Sequence, residues 1–438
     1  MMLQYYFLLG VKSLRRNPVL TTLMVLILAI GVAASVSTLT ILHVMSGDPI
    51  PQKSDRLFAT IIDPGQKEGY IPGQSYVDHQ LSYKDVQAFL KSGKGVRRVG
   101  LYGISTVVEP VRKELGVSAL DGVATTSDFF AMFEVPFLHG QAWQASEDST
   151  GADVAVLSKK TAEKYFGNVN PVGQKLRVMG GDYTVVGVLN DWKQSPRFFM
   201  YNGRTGAFVS EDEIFIPFSN AIRRETPHSG SMSCSSSREP GWQALLDSEC
   251  TWFHFWFEMK SASDRAELQT YLDSYVAEQR KLGRFQRQAP NKLFNVREWL
   301  VEMKVIGDDS RISAWLAFGF LLLCLVNTIG LLLAKFSVRA SEVGVRRALG
   351  ASKKEIFAQF LIESAVVGLV GAILGVLLAL GALQLIALQS KALAAVAHMD
   401  WMMLAVTFLM SISAAILAGI LPTWRACQVT PAIQLKLQ

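Results

Sequence analysis

The chain has 438 residues, half of them hydrophobic, with 43 Lys and Arg against 37 Asp and Glu and a net charge of +6. A mean hydropathy of +0.24 excludes an ordinary soluble domain and equally a chain embedded in lipid along its whole length; a few membrane spans joined to a sizeable water-exposed domain are implied. The pI near 9.0 does not point to nucleic acid, because the basic residues cluster beside the apolar runs, where membrane topology places them.

Residues 1–18 carry Tyr5, Tyr6, Leu8, Leu9 and Leu14 with Lys12 and Arg15, and read as an interfacial amphipathic helix on the cytoplasmic side. The run 19–45 is long enough to cross a bilayer. It is too long for the core of a signal peptide, and no A-x-A site follows it. Its Ser35, Ser37, Thr38 and Thr40 can bond back to their own helix or to a neighbour. Lys12, Arg15 and Arg16 precede it, so the N-terminus is predicted inside and residues 46–311 outside.

In this outer segment Val154–Ser158 reads as a strand feeding a helix over Lys159–Phe166, followed by turn chemistry over Gly167–Gly173. Lys175–Val178 and Tyr183–Leu189 alternate as strands, and Ile214–Pro217 is a further short one. Thr226–Glu239, rich in Ser, Gly and Pro, predicts a mobile surface loop. In Trp252–Glu258, Trp252, His254, Trp256 and Glu258 share one face and three phenylalanines the other. The Trp face is open to two readings, an apolar ligand surface or sheet core, and His254 is taken as packing. A helix follows from Ser261 to Lys281, with Ser261 and Asp264 suited to its start. The stretch 295–309 is amphipathic and is expected to continue as a stalk. Cys234 and Cys250 would close a loop of about 15 residues, worth roughly 3 kcal/mol if bridged. Two separate thiols are the alternative.

Three more spans follow, over 312–334, 360–388 and 401–421. Between the first two of these lies 335–359, with Lys335, Arg339, Arg346, Arg347, Lys353 and Lys354 against Glu342 and Glu355. This segment is predicted cytoplasmic and helical on both sides of Gly350, a short helix pair displayed to a cytosolic partner. Gly371-x-x-x-Gly375 is a close-packing signature between helices. Glu363 is open to two readings: a partner for Arg346 or Arg347, or an interfacial carboxylate reaching water. The tail 422–438 is expected inside.

The sequence contains no G-x-x-x-x-G-K-[ST], G-x-S-x-G or H-E-x-x-H, and no spaced Cys/His set. No cofactor, metal or catalytic residue is therefore assigned to this chain.

Three places together resemble the MacB/FtsX family of ABC-transporter permeases. The strongest is Ser341-Glu-Val-Gly-Val-Arg-Arg-Ala-Leu-Gly-Ala-Ser352, running on through Gln359–Ser364 to Gly371 and Gly375. The second is the series Val154–Ser158, Tyr165–Gly167, Asn170–Gly173 and Val185–Val188, and the third is Pro422 and Ala426 with Thr430–Ala432. The resemblance covers nearly the whole chain. It implies a membrane α-helical protein, four transmembrane helices with a large α+β periplasmic domain between helices 1 and 2, in a bacterial inner membrane with both termini cytoplasmic. It implies a two-lobed outer domain, one lobe from 55–94 with 251–295, the other inserted over 99–218, and a stalk over 296–311. It further implies a second permease copy, identical or merely similar, and a separate cytosolic ABC ATPase dimer that holds the ATP and Mg. A periplasmic adaptor and an outer-membrane channel are further partners, alongside membrane lipid. Glu342, Arg346, Arg347, Gly350 and Lys353 would meet the ATPase. The role implied is export of a peptide, antibiotic or amphiphile, driven by mechanical coupling; the alternatives are a lipoprotein-release permease or a mechanotransmitter that activates a cell-envelope hydrolase.

Overall fold

The structure is a computed structural model that describes residues 17–65, 67–68, 70–72, 79–109, 114, 116–192, 195–200, 207–208, 212–234, 239–305, 308–389 and 401–428. The expected interfacial helix of 1–18 therefore lies outside the described residues save for its last two, as do the outer loop 390–400 and the motif at Thr430–Ala432. The chain forms two compact units, Gly47–Val305 and a second unit from the flanking segments.

Four helices of the second unit are long and apolar enough to cross a membrane: Pro18–Ser46, Ile312–Ser337 (within a helix starting at Asp308), Lys353–Ala387 and Trp401–Arg425. The fold class is the expected one. The third long helix packs on the first and fourth, and the second packs on the first. Glycine permits the closest approaches. A Cβ on Gly371 would sit 3.4 Å from the Cβ of Leu28, and one on Gly375 would sit 3.3 Å from the Ala29 carbonyl oxygen. Gly371 and Gly375 thus face the first helix, as a small-residue pair does where backbones come together.

The unit Gly47–Val305 is built on one sheet of eleven strands. They are β1 (Leu57–Ile61), β2 (Leu81–Ser82), β3 (Arg97–Glu109), β4 (Ser118–Thr125), β5 (Phe137–Gly140), β6 (Val154–Leu157), β7 (Lys175–Val178), β8 (Gly181–Leu189), β9 (Ile214–Pro217), β10 (Thr251–Glu258) and β11 (Lys292–Asn295). The order is β11-β1-β10-β3-β4-β9-β6-β8-β5, with β2 beside β10 and β7 bridging β3 and β8. Two pairings, β4 with β9 and β6 with β8, are parallel.

One apolar layer covers each face of this sheet. The first contains Phe58, Phe89, Tyr102, Tyr183, Phe253 and Leu272. The second contains Leu57, Val99, Phe129, Phe215, Trp256 and Trp299. Both layers draw on the flanking and the inserted segments, so the two expected lobes do not have separate cores; β3 pairs with β10 on one side and β4 on the other and joins them.

Every residue of β10 is buried, which decides between the two readings of its Trp face. Trp256 donates its indole N–H to the Phe199 carbonyl at 3.0 Å, and Trp299 donates to Phe198 at 3.0 Å. Both tryptophans are core, but they do not share a face: Trp252 packs in the layer of Phe253, Phe255 and Phe257 and Trp256 in the other, because the register shifts between Thr251 and Phe253. His254 is buried on the same strand, and burial, with Arg197 and His79 nearby, lowers its pKa to about 3. It is a neutral packing residue.

Two further expectations change. The stalk is not continuous: the helix Val296–Glu302 stops at Met303, Lys304 takes a φ of +50°, and Met303 and Val305 turn into the apolar layer. Their side chains gain more from that burial than from extending a solvent-facing helix. Nor is Thr226–Glu239 loose where it is described. The Ser229 N–H donates to the Gly103 carbonyl at 2.7 Å, Ser233 and Thr251 exchange backbone hydrogen bonds, and Cys234 and Cys250 are joined by a disulfide. Ser and Gly composition reported on solvent exposure, not on these backbone pairings.

Asp148 makes the stability of this unit depend on pH. Burial raises its pKa to about 6, opposed by hydrogen bonds from Ser127, with Asp128 adding to the rise. A folded pKa above the unfolded one gives stability that is complete at pH below about 4 and is lost as pH rises through about 6. Asp148→Asn should therefore raise the melting temperature of the detergent-solubilised chain near neutral pH and flatten its gain on acidification. An unchanged difference between wild type and variant at pH about 5 and about 7.5 would contradict this.

Candidate coupling site

The helix Ile312–Ser337 ends in a basic stretch, and the short helix Ala340–Ala348 starts after Arg339. Leu349 terminates it. Gly350 then adopts a φ of +101° with no atom near its missing Cβ, the left-handed turn that glycine takes without strain. Ser352 accepts the Glu355 N–H at 3.2 Å and Glu355 accepts the Ser352 N–H at 2.9 Å, a reciprocal cap. The expectation of a short helix pair is corrected here. Only one short helix exists in this segment among the described residues; the residues after Gly350 form the first turn of the third long helix, begun early by this cap.

The inner face of the short helix is fastened to the bundle. Val343 packs with Phe336, Ile356 and Phe360 in one buried cluster, and the rings of Phe336 and Phe360 lie 4.5 Å apart. Arg346 pairs with Glu342 at 2.6 Å, one turn away, and donates to Gln359 on the third helix at 3.0 Å.

Glu363 does not pair with Arg346 or Arg347. Its carboxylate lies 2.8 Å from the Lys335 ammonium and 2.9 Å from an Arg339 guanidinium nitrogen. The reason is position. Glu363 lies ten residues into the third helix, about 15 Å along its axis from Lys353, level with the end of the second helix and not with the C-terminal half of the short one. Of the five expected contact residues, Glu342 and Arg346 thus form one pair, Arg347 is half-buried, Gly350 makes the turn, and Lys353 is exposed at the start of the third helix.

Two residues were missed. Leu349 is 83% exposed and Val345 51% exposed. They stand one turn apart on the outer face, beside the Glu342–Arg346 pair. The sequence did carry a signal, since Val343, Val345 and Leu349 are more apolar positions than one buried stripe of a nine-residue helix needs.

Residues 21–275 match the family of MacB-like periplasmic core domains, and residues 314–431 match the FtsX-like permease C-terminal family. The first match alone covers more than half of the chain. The chain belongs to the MacB/FtsX family of permeases. It is 25% identical over 381 residues to the macrolide export ATP-binding/permease protein MacB of Rhodopirellula baltica, covering 84% of this chain and 53% of that one. It is 26% identical over 253 residues to the pyoverdine export ATP-binding/permease protein PvdT of Pseudomonas entomophila, covering 58% and 34%. The permease thus spans about half the length, or less, of the curated relatives it matches. The solved periplasmic region of MacB from Actinobacillus actinomycetemcomitans aligns at 11% identity with a TM-score of 0.36, over 59% of this chain and 96% of that one.

Proposed function

We propose that this permease is the membrane subunit of an ABC exporter. ATP hydrolysis by a cytosolic ATPase, a separate subunit that holds ATP and Mg, is coupled through the short helix Ala340–Ala348 to a change in the outer domain. The permease itself is not catalytic and works as a dimer, in a bacterial inner membrane with the short helix inside and the large domain in the periplasm. The cargo class is a peptide, antibiotic or other amphiphile.

The observation that carries this reading is the outer face of the short helix. Exposed Val345 and Leu349 on the helix that carries charged Glu342 and Arg346 form a small apolar centre with a polar rim, the make-up of a docking surface. The family motif lies on the same helix. The relatives' names join ATP-binding to permease, which supports an ABC ATPase as what the short helix meets.

Purification of the permease from its native membrane in mild detergent, with ATP trapped by vanadate, should recover a P-loop ATPase. Recovery of the permease with no ATPase would overturn the proposal.

A further inference from the structure

The ion cluster around Glu363 lies apart from the docking face, because its side chains are turned into the bundle. Lys335 is 0% exposed and Glu363 2%. Lys335 belongs to the end of the second long helix, Arg339 is the cap of the short helix, and Glu363 belongs to the third long helix. One carboxylate therefore ties three elements, at 2.8 Å to Lys335 Nζ and at 2.9 and 3.2 Å to the Arg339 guanidinium.

Adhesion does not require these charges. The closely packed Phe336 and Phe360 with Val343 and Ile356 already join the same elements, and a buried ion pair rarely holds helices together better than well-packed apolar side chains would. What ions add is direction. One guanidinium nitrogen, Arg339 Nη1, lies within hydrogen-bond distance of both carboxylate oxygens, so rotation or sliding of the short helix against the third breaks charge-assisted hydrogen bonds that an apolar contact would let slip. Inside a membrane an ionisable group needs such a role to offset its cost.

Resting on the coupling role given above, we propose that Glu363 is a positioning residue for the stroke. It locks the short helix, through Arg339, to the third long helix and, through Lys335, to the second. Displacement of the short helix then moves both long helices as one, instead of bending the linker at Val338.

The test uses the permease purified with its ATPase. Hydrogen exchange of the outer domain is compared between the nucleotide-free and vanadate-trapped states. For Glu363→Gln, the expected result is unchanged ATPase recovery with loss of the nucleotide-dependent exchange change, and partial rescue by Glu363→Asp. A full exchange response in Glu363→Gln would overturn the lock. Should that variant misfold, the apolar triple variant Lys335→Met, Arg339→Met, Glu363→Met decides. A folded complex that binds its ATPase but gives no response supports the lock, and a restored response shows that the ions are only adhesive. Failure of the wild type to recover an ATPase or to respond would overturn the coupling reading itself, a result distinct from failure of the variants alone.

Discussion

Replacing Leu349 with aspartate should abolish most recovery of the ATPase while leaving the melting temperature of the permease unchanged. Leu349 is 83% exposed and follows the last turn of the short helix, so the fold loses almost no packing. An apolar side chain at the centre of a small interface is where binding energy concentrates. Truncation of such a residue costs about 2 kcal/mol or more, which corresponds to a roughly thirtyfold loss of affinity. Aspartate adds the desolvation of a charge. Reversal of both Arg346 and Arg347 to glutamate should also uncouple the complex, though less cleanly. Arg346 holds Glu342 and Gln359 inside the chain, so its reversal also loosens the short helix from the third. Affinity for the purified ATPase, measured on permease in detergent or nanodiscs, separates the cases. Wild-type affinity in Leu349→Asp would remove the short helix from the docking surface.

The second large effect is expected in the outer domain, for Glu258→Ala. Glu258 ends β10, is 2% exposed, and faces three cations: Arg97 at 2.8 Å, Lys53 at 3.4 Å and Arg56 at 3.5 Å. Lys53 and Arg56 lie on the segment that leads into β1, and Arg97 opens β3, so this carboxylate closes the seam between the start of the domain and its central strands. Its removal breaks a buried ion cluster, which costs about 3–5 kcal/mol, although Lys53 keeps Glu134 at 3.5 Å. Lys53 keeps the carbonyls of Ala131 and Met132 as acceptors, which favours the lower end of that range. For a domain of this size the melting temperature should fall by about 10 °C. Glu267→Ala is the control, because its pairing with Lys94 is exposed and surface pairs contribute roughly 0–1 kcal/mol. Equal melting temperatures for the two variants, by near-ultraviolet circular dichroism of the full chain, would refute the seam.

Several features were legible in the amino-acid order alone. The length and hydropathy of four runs sufficed for four long helices, because a bilayer sets a minimum length that few other environments impose. Ser261 with Asp264 announced a helix start, since its cap is a set of local hydrogen bonds. The motif from Ser341 to Ser352 pointed to the family together with the outer-domain series from Val154 and the closing Pro422 and Ala426. Alternation in Trp252–Glu258 identified a strand, but said nothing about which faces were covered. Burial of both depends on a layer contributed by Phe129, Phe198 and Trp299 from one side and Phe89 and Leu272 from the other.

The candidate site divided the same way. The charges of the short helix and the turn at Gly350 are properties of consecutive residues, and the sequence alone determined them. The partner of Glu363 is not such a property. Arg346 and Arg347 are nearer to it along the chain than Lys335 is, yet the rise of the third helix carries Glu363 to the level where the second helix ends. Likewise, the helix at Val296 stops because Met303 and Val305 find an apolar layer assembled from distant strands. Caps, turns, span lengths and basic flanks are short-range physics that a sequence states directly; the choice of ion partner, the covering of a strand and the end of a helix against a core follow from burial, which only the packed chain decides.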